Sequence, residues 1–418
     1  MQDVCVLTLG CKVNQYDSDA ILKVFLDAGF VIYDTLQKTD IYIVNTCAVT
    51  KEAEKKSRQM ITKILKLSPK AKIYICGCAS QRDATQFDKD NVIYIQGNKS
   101  KVELAKEIVS ETNIFKKKIA DDFSLPATCA DCGDIASFKT RYFIKIQDGC
   151  NSRCSYCIIP FLRGKSRSRK IEDIMIEINS LENKKEIVLI GINLSAYGKD
   201  IDTNLTQLLT ALKGCKLRVR LGSLEPNVVT QEFLTACKNI KNFCPHFHLS
   251  LQSANDEVLK DMRRAYNMEM FRKAVELIKS NFEDPAITGD VIVGYPTETR
   301  EQFLDSKRNI EELKFSDIHV FSYSVREGTK AAEYKQLTKS EIHEREMEMD
   351  QVKQKLILKY LTNQLNKMHE VLFETQQGEY SVGHTKNYIK VYVKGKYTNE
   401  IRTIKAKGLY LDGILAEI

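Results

Sequence analysis

Over residues 3 to 112, short apolar runs alternate with stretches in which apolar side chains recur every three or four positions. The runs at 4–9, 41–44, 73–75 and 92–95 predict strands, and the stretches at 15–28, 53–67 and 101–110 predict helices. Strand and helix in turn make a parallel sheet covered by helices, because parallel neighbours need a crossover between them. The alternation resumes from 139 to about 335, with strand runs at 142–147, 186–190, 217–221, 246–251, 287–293 and 318–323. Helical patterns near 171–181, 204–213, 230–240, 267–281 and 299–313 separate them. Six such strands predict an open or partial barrel of parallel strands with its chemistry at the carboxyl-terminal rim. A long helical pattern from 339 to 368, rich in Glu, Lys and Met, carries much of its charge as a solvated face. The tail changes to short alternating runs at 371–374, 388–393, 401–406 and 410–417, broken by Gly378, Gly383, Gly395, Gly408 and Gly413. That pattern predicts a small all-β barrel. The fold class is therefore α/β: an N-terminal parallel α/β domain at 1–113, a linker at 114–138, a central partial barrel at 139–366 and a small all-β barrel at 367–418.

A chain of 418 residues has room for these domains, each with its own core. Hydrophobic content of 43% beside 28% charged residues suits a globular chain in water, and no apolar run approaches the roughly 18 residues of a membrane span. Met1-Gln2-Asp3-Val4 enters a strand pattern without a basic and apolar leader, so the expected location is the cytoplasm, with no membrane partner. Thiols stay reduced there, so 13 cysteines point to metal or redox chemistry rather than to disulfides. A net charge of +8 permits a polyanionic partner such as RNA without requiring one.

Three cysteines stand in Cys150-Asn151-Ser152-Arg153-Cys154-Ser155-Tyr156-Cys157, directly after a predicted strand. Three thiolates on one tight loop hold three irons of a four-iron cluster and leave the fourth iron open to another ligand. The alternative is a zinc knuckle or a chance grouping, although zinc usually takes four protein ligands with a CxxC pair at both ends. Cys11, Cys47 and Cys78 each follow a different strand of the N-terminal sheet, at the edge where ligands gather in parallel sheets. They either converge there or are buried small hydrophobes. Cys76, two residues before Cys78, is expected on the same side of the strand end as a buried neighbour. Cys129 and Cys132 form a CxxC in the linker that is open between metal, redox pair and neither. Cys5, Cys215, Cys237 and Cys244 have no ligand spacing and read as packing or surface thiols.

The CxxxCxxC loop resembles the cluster loop of radical S-adenosylmethionine (SAM) enzymes, and the three regions together resemble a methylthiotransferase of that superfamily over essentially the whole chain. Thr8-Leu9-Gly10-Cys11-Lys12-Val13-Asn14-Gln15-Tyr16-Asp17-Ser18 is closest to the branch acting on N6-threonylcarbamoyladenosine at position 37 of tRNA. Cys157-Ile158-Ile159-Pro160, Arg163-Gly164-Lys165-Ser166-Arg167-Ser168-Arg169 and Ser322-Tyr323-Ser324-Val325-Arg326-Glu327-Gly328-Thr329 agree with that branch. The resemblance implies a central (βα)6 radical SAM barrel, a C-terminal TRAM barrel, and two [4Fe-4S] clusters. One would be the SAM cluster at Cys150, Cys154 and Cys157, the other an auxiliary cluster at Cys11, Cys47 and Cys78. Two departures stand out: Ala254 where glycine is usual after Gln-Ser, and Asn267 where threonine is common after Arg-x-Tyr.

The implied reaction replaces the hydrogen at carbon 2 of the modified adenine with a methylthio group, using SAM both as radical source and as methyl donor. No acid or base side chain breaks such a bond, so the cofactor carries the chemistry. The rim residues Gly191, Asn193, Ser223, Glu225 and Gln252 are the candidates for holding SAM, unless they are ordinary strand-end caps. Arg163, Lys165, Arg167 and Arg169 are candidates for phosphates near the tRNA anticodon loop, or a solvated face. Tyr388 and Lys390, with Tyr392 and Lys394, interleave aromatic and basic side chains on one tail strand, for RNA or for packing. Other expected partners are an electron donor such as flavodoxin or ferredoxin and a sulfur donor. The rival readings are methylthiolation of a ribosomal protein side chain and a non-catalytic iron–sulfur RNA-binding redox protein.

Overall fold

The computed structural model describes residues 2–99, 101–110, 118–120 and 140–418. The CxxC of Cys129 and Cys132, and most of the expected linker, lie outside the described residues. The N-terminal elements are β1 (Asp3–Thr8), α1 (Lys12–Asp27), β2 (Val31–Tyr33), β3 (Ile41–Thr46), α2 (Lys51–Leu67), β4 (Lys72–Gly77), α3 (Cys78–Arg82), β5 (Val92–Ile95) and α4 (Lys101–Val109). Then come β6 (Arg141–Lys145), β7 (Gln147–Asp148), α5 (Ile159–Arg163), β8 (Arg167–Ser168), α6 (Ile171–Ser180), β9 (Glu186–Ile190), α7 (Leu205–Ala211), β10 (Arg218–Leu221), β11 (Ser223–Leu224) and α8 (Gln231–Asn239). They are followed by β12 (His246–Gln252), α9 (Asp256–Asp261), α10 (Met268–Asn281), β13 (Ala286–Val293), α11 (Arg300–Leu313), β14 (Asp317–Ser322) and α12 (Lys339–Thr362). The tail holds β15 (Met368–Gln377), β16 (Tyr380–Thr385), β17 (Lys390–Lys394), β18 (Ile401–Tyr410) and β19 (Gly413–Glu417). No described helix is long and apolar enough to cross a membrane.

The chain divides into two compact units. The described residues of Met1–Ser137, Lys145–Ser180 and Ser324–Thr329 form the first, and those of Phe138–Ile144, Leu181–Tyr323 and Lys330–Ile418 the second. The first unit therefore takes in the CxxxCxxC loop, across the division at 139 that the sequence pattern suggested. Its sheet is parallel in the order β2-β1-β3-β4-β5. One face packs Val4, Val6, Ile43 and Tyr74 against Ile21, Phe25 and Leu104 of the helices. The other face packs Tyr42, Val44, Ile73 and Ile75 against Ile61, Ile64, Ile158 and Leu162. Apolar side chains on both faces explain why these strands read as continuous runs rather than as alternating ones.

In the second unit, one sheet runs β10-β9-β6, with β10 and β9 parallel, and a parallel sheet runs β11-β12-β13-β14. Only Gly222 separates β10 from β11, so six strand positions follow one another in chain order. A Cβ on Gly222 would sit 3.1 Å from the Leu189 carbonyl oxygen, a close approach that suits the smallest residue. Asn267 accepts from the Met270 N–H at 3.0 Å as the N-cap of α10, a task threonine shares, which makes its departure from the family pattern mild. Ala254 is fully buried.

The tail is a closed barrel in the order β15-β16-β17-β19-β18. Its strand β16 has no counterpart among the expected runs, because Gly383 is inside the strand rather than at a break. A Cβ there would fall 2.1 Å from the Leu372 carbonyl oxygen, so glycine lets β16 cross closely over β15. The run expected at 388–393 starts later, at Lys390, because Tyr388 adopts a positive φ of 64° in the turn before it. Within this unit the Tyr388 ring stacks on His384 and His246, with centroids 4.7 and 4.8 Å away. The Arg220 and Arg141 guanidinium groups lie 4.6 and 5.3 Å from its centroid. Stacks and cation–π contacts of this kind make Tyr388→Ala cost about 2 kcal/mol, an effect that thermal melting would register and an unchanged midpoint would refute.

Candidate functional site

Gly10 and Cys11 turn the chain from β1 into α1, Cys47 follows β3, and Cys78 is the first residue of α3. These turns are pinned to each other. The Asn14 side-chain amide donates to the carbonyls of Leu9 and Thr46, both at 2.9 Å. Thr46 Oγ1 donates to the Cys76 carbonyl at 2.7 Å and accepts from the Ala79 and Ser80 N–H groups at 3.2 and 3.3 Å. One side chain thus fixes the turn of Cys47 to the helix start of Cys78. Gly10 has a φ of 95°, and a Cβ on it would fall 2.4 Å from Cys47 Sγ. The cradle around Cys47 therefore admits no side chain at position 10. Gly10→Ala is expected to lower the iron and sulfide bound per chain by about half of a two-cluster complement, as measured chemically on purified protein. Unchanged content would show that the turn tolerates the methyl group.

Burial, followed by the neighbouring Cys78 and Cys11 thiols, pushes the Cys47 thiol up to about 12 against a hydrogen bond from Val49. Such a thiol stays protonated until a metal displaces the proton. The donor set of three sulfurs suits iron in a cluster, with one iron left open. Cys76 corrects an expectation: it is not on the side of Cys78. Cys76 packs with Val4, Val6 and Tyr74, whereas Cys78 packs with Ile73 and Ile75. Strand alternation ends at Gly77, whose φ of 108° redirects the chain into α3.

The Cys150–Cys157 loop is in the same unit. Gly149, with a φ of 70°, lies so close to the Lys165 carbonyl that a Cβ would fall 2.0 Å from that oxygen. The Gln147 amide donates to the Gly149 carbonyl at 2.7 Å and to Ser166 Oγ at 2.9 Å. The Gly149 N–H donates to Asp148 Oδ1 at 2.7 Å, the Cys150 N–H to the Gly164 carbonyl at 3.0 Å, and the Cys157 N–H to the Cys154 carbonyl at 3.1 Å. After Cys157 the chain enters α5, whose Leu162 packs in one apolar cluster with Cys78, Ala79 and Ile158. Asn98 donates to Cys78 Sγ at 3.4 Å and to the Leu162 carbonyl at 3.0 Å, so it touches a ligand candidate of one set and the helix that follows the other.

The basic run after the loop corrects a second expectation. Arg163, Arg167 and Arg169 are buried, and only Lys165 of the four is exposed. Arg163 donates to both oxygens of Asp148 at 3.0 and 3.1 Å and to Asn14 Oδ1 at 2.5 Å. Burial disfavours its charge, but Asp148, Cys78, Asp17 and Cys11 around it hold its pKa well above the ordinary value. Asp17 also accepts from Lys101 at 2.8 Å and Lys145 at 2.6 Å. Arg167 donates to the carbonyls of Arg163 and Lys165 at 2.8 and 2.6 Å. Arg169 pairs with Glu177, which also accepts from Tyr16 at 3.1 Å. Guanidinium groups engaged in this way are not available to phosphates. Asn14, Asp17, Asn98, Lys101, Lys145 and Asp148 had escaped the sequence reading, although Asn14 and Asp17, one helical turn apart just after Cys11, were a signal for the first two.

The expected SAM residues belong to the second unit, at the carboxyl ends of neighbouring strands. Gly191 and Asn193 follow β9, Ser223 opens β11, Glu225 follows it, and Gln252 ends β12 with a φ of 67°. Glu225 is paired: its N–H donates to Ser195 Oγ at 2.7 Å, and its carboxylate accepts from Arg264 at 2.9 Å. Arg264 in turn donates to the Tyr266 hydroxyl at 3.0 Å, which itself donates to the Leu251 carbonyl at 3.1 Å. Ser195, Arg264 and Tyr266 thus belong to this rim. Lys390 reaches Asp412 at 2.9 Å rather than standing alone on the tail.

Comparison with known proteins places these arrangements. The family described as "Uncharacterized protein family UPF0004" matches residues 3–95, and the radical SAM superfamily matches residues 144–310. The chain is 35% identical to the threonylcarbamoyladenosine tRNA methylthiotransferase MtaB of Bacillus subtilis, over 97% of this chain and 94% of that protein. It is 32% identical to the tRNA-2-methylthio-N(6)-dimethylallyladenosine synthase of Caldicellulosiruptor saccharolyticus, over 88% of this chain and 81% of that protein. In fold it is similar to the radical SAM methyltransferase TsrM of Kitasatospora setae, with a TM-score of 0.56, 15% identity, and coverage of 79% of this chain and 77% of that one.

Proposed function

Because this chain belongs to the radical SAM methylthiotransferase family, we propose that it places a methylthio group on carbon 2 of N6-threonylcarbamoyladenosine at position 37 of tRNA. The observation that carries the reading is the construction of two three-cysteine sets into one unit, with Cys78 and the helix after Cys157 in a single apolar cluster. Similarity to a relative named for threonylcarbamoyladenosine supports that substrate over a dimethylallyl one.

Cys150, Cys154 and Cys157 would hold the SAM cluster, and Cys11, Cys47 and Cys78 the auxiliary one. When bound, these clusters with SAM supply hydrogen-atom abstraction from an unactivated carbon, and the sulfur and methyl group that replace the hydrogen. The chain's residues set the conditions. Gln147 and Asp148 brace the start of the loop through Gly149. Gly10 leaves room beside Cys47. Arg163 places a fixed positive charge near Cys78 and Cys11, and Asn98 donates to Cys78 Sγ; both would tune a cluster held there. Gly191, Asn193, Ser223, Glu225 and Gln252 would orient SAM. Position 37 is in a loop, so its base can be splayed toward the site without melting a helix. A flavodoxin or ferredoxin class donor would supply electrons, and a separate sulfur donor would restore what each turnover consumes.

The test offers reconstituted enzyme, dithionite and SAM to three substrates: tRNA carrying threonylcarbamoyladenosine, tRNA carrying dimethylallyladenosine, and ribosomal protein. The expected methylthiolated product forms on the first. Product on the second or third alone would overturn the substrate assignment.

A further inference from the structure

The second unit carries a cluster of metal-binding side chains that the proposed reaction does not use. His248 on β12, Asp290 on β13 and His319 on β14 stand on three adjacent parallel strands, and Asp290 and His319 are direct register partners. One ligand atom from each lies within 4.8 Å of the others. His248 Nε2 is 3.1 Å from Asp290 Oδ2, and His319 Nδ1 is 3.3 Å from Asp290 Oδ1. The two imidazole centroids are 5.2 Å apart.

We propose that His248, Asp290 and His319 form a three-ligand site for a divalent transition-metal cation of the Zn²⁺ class. Two histidines and a carboxylate are the donor types such cations take, and ligands about 2.0–2.2 Å from a tetrahedral ion are separated by roughly 3.4 Å. The two nitrogen-to-oxygen separations, 3.1 Å to Asp290 Oδ2 and 3.3 Å to Oδ1, are close to that spacing, one on each carboxylate oxygen. The site also has the supporting bond that ligating histidines show. Nδ1 of His248 is hydrogen-bonded to Thr288 Oγ1 at 2.9 Å, which fixes the ring and leaves Nε2 directed at Asp290. Thr288 is held in turn by His246 Nε2 at 2.9 Å. His248 is half-buried, while His319 remains about half exposed, so the fourth coordination position opens toward water or an oxygen donor. His248 is four residues before Gln252 on β12, and Asp290 precedes Val291, the register partner of Gln252, so the site adjoins one end of the expected SAM rim without including any of its residues.

The full-length protein, purified without oxygen and with its cluster iron and sulfide quantified, is titrated first with Zn²⁺ and then with Co²⁺ as a spectroscopic probe. One equivalent of Zn²⁺ beyond the cluster metal is expected, and Co²⁺ is expected to show ligand-field absorption of a four-coordinate nitrogen and oxygen site. Asp290→Asn and His319→Gln are each expected to weaken binding at least tenfold with iron, sulfide and circular dichroism unchanged. If one variant misfolds, the other and His248→Gln decide the question. Absence of the extra equivalent, or equal binding in the folded variants, would overturn the proposal and leave a carboxylate bonded by two imidazoles.

Discussion

Cys154→Ala is expected to abolish release of 5′-deoxyadenosine from SAM, whereas Cys47→Ala keeps a substantial part of it and loses methylthio transfer. In the proposed assignment the loop of Cys150, Cys154 and Cys157 would hold three irons of the cluster that supplies SAM reduction. With one thiolate gone, no side chain of that loop replaces it. Cys47 is held elsewhere, by Ser57 Oγ on its N–H at 3.3 Å and by the turns that Asn14 and Thr46 tie together. Its loss leaves the braces of the SAM loop, from Gln147 and Asp148, in place. Chromatography of 5′-deoxyadenosine and of tRNA nucleosides separates the two outcomes. Equal loss of SAM cleavage in both variants would contradict the division of labour between the cysteine sets.

The second large effect concerns Arg163. Arg163→Met leaves Asp17 and Asp148 buried with one cation fewer, and breaking a buried ion pair in this way costs about 3–5 kcal/mol. For a unit of this size the melting temperature falls by roughly 10 °C. Arg163→Lys recovers little, because the guanidinium reaches both oxygens of Asp148 and Asn14 Oδ1 at once and an ammonium has no such fork. Exposed Lys165 provides the contrast: Lys165→Ala is expected to leave the melting temperature unchanged and to weaken tRNA binding by the share of one phosphate contact. A melt of Arg163→Met within about 1 °C of the parent would show that the network around Asp17 does not support the fold.

Much of this was legible from the residues. Apolar runs flanked by helical periods located the parallel sheets because a strand buried on both faces has no other pattern. The CxxxCxxC loop needed only local spacing. Cys11, Cys47 and Cys78 were legible as strand-end residues, since the carboxyl edge of a parallel sheet gathers side chains far apart in sequence. What was not legible depended on packing. Arg163, Arg167 and Arg169 look like a surface run, and nothing local announces that Asp17, from a helix well over a hundred residues earlier, draws Arg163 inward. The same holds for Tyr388, whose partners His246 and Arg220 come from distant strands. Gly77 was passed over and Gly383 misled for a related reason. Glycine marks a break in a pattern, but its role at 77 is to redirect a cysteine, and at 383 to let two strands cross.

In the proposed reaction this chain removes the hydrogen at carbon 2 of a modified tRNA adenosine and replaces it with a methylthio group. The most direct measurement uses tRNA carrying N6-threonylcarbamoyladenosine deuterated at carbon 2 of position 37, with reconstituted enzyme, dithionite and SAM. The predicted result is deuterium in 5′-deoxyadenosine together with a nucleoside heavier by one methylthio group in place of deuterium. Product without label in 5′-deoxyadenosine, or 5′-deoxyadenosine formed with the tRNA unchanged, would contradict it.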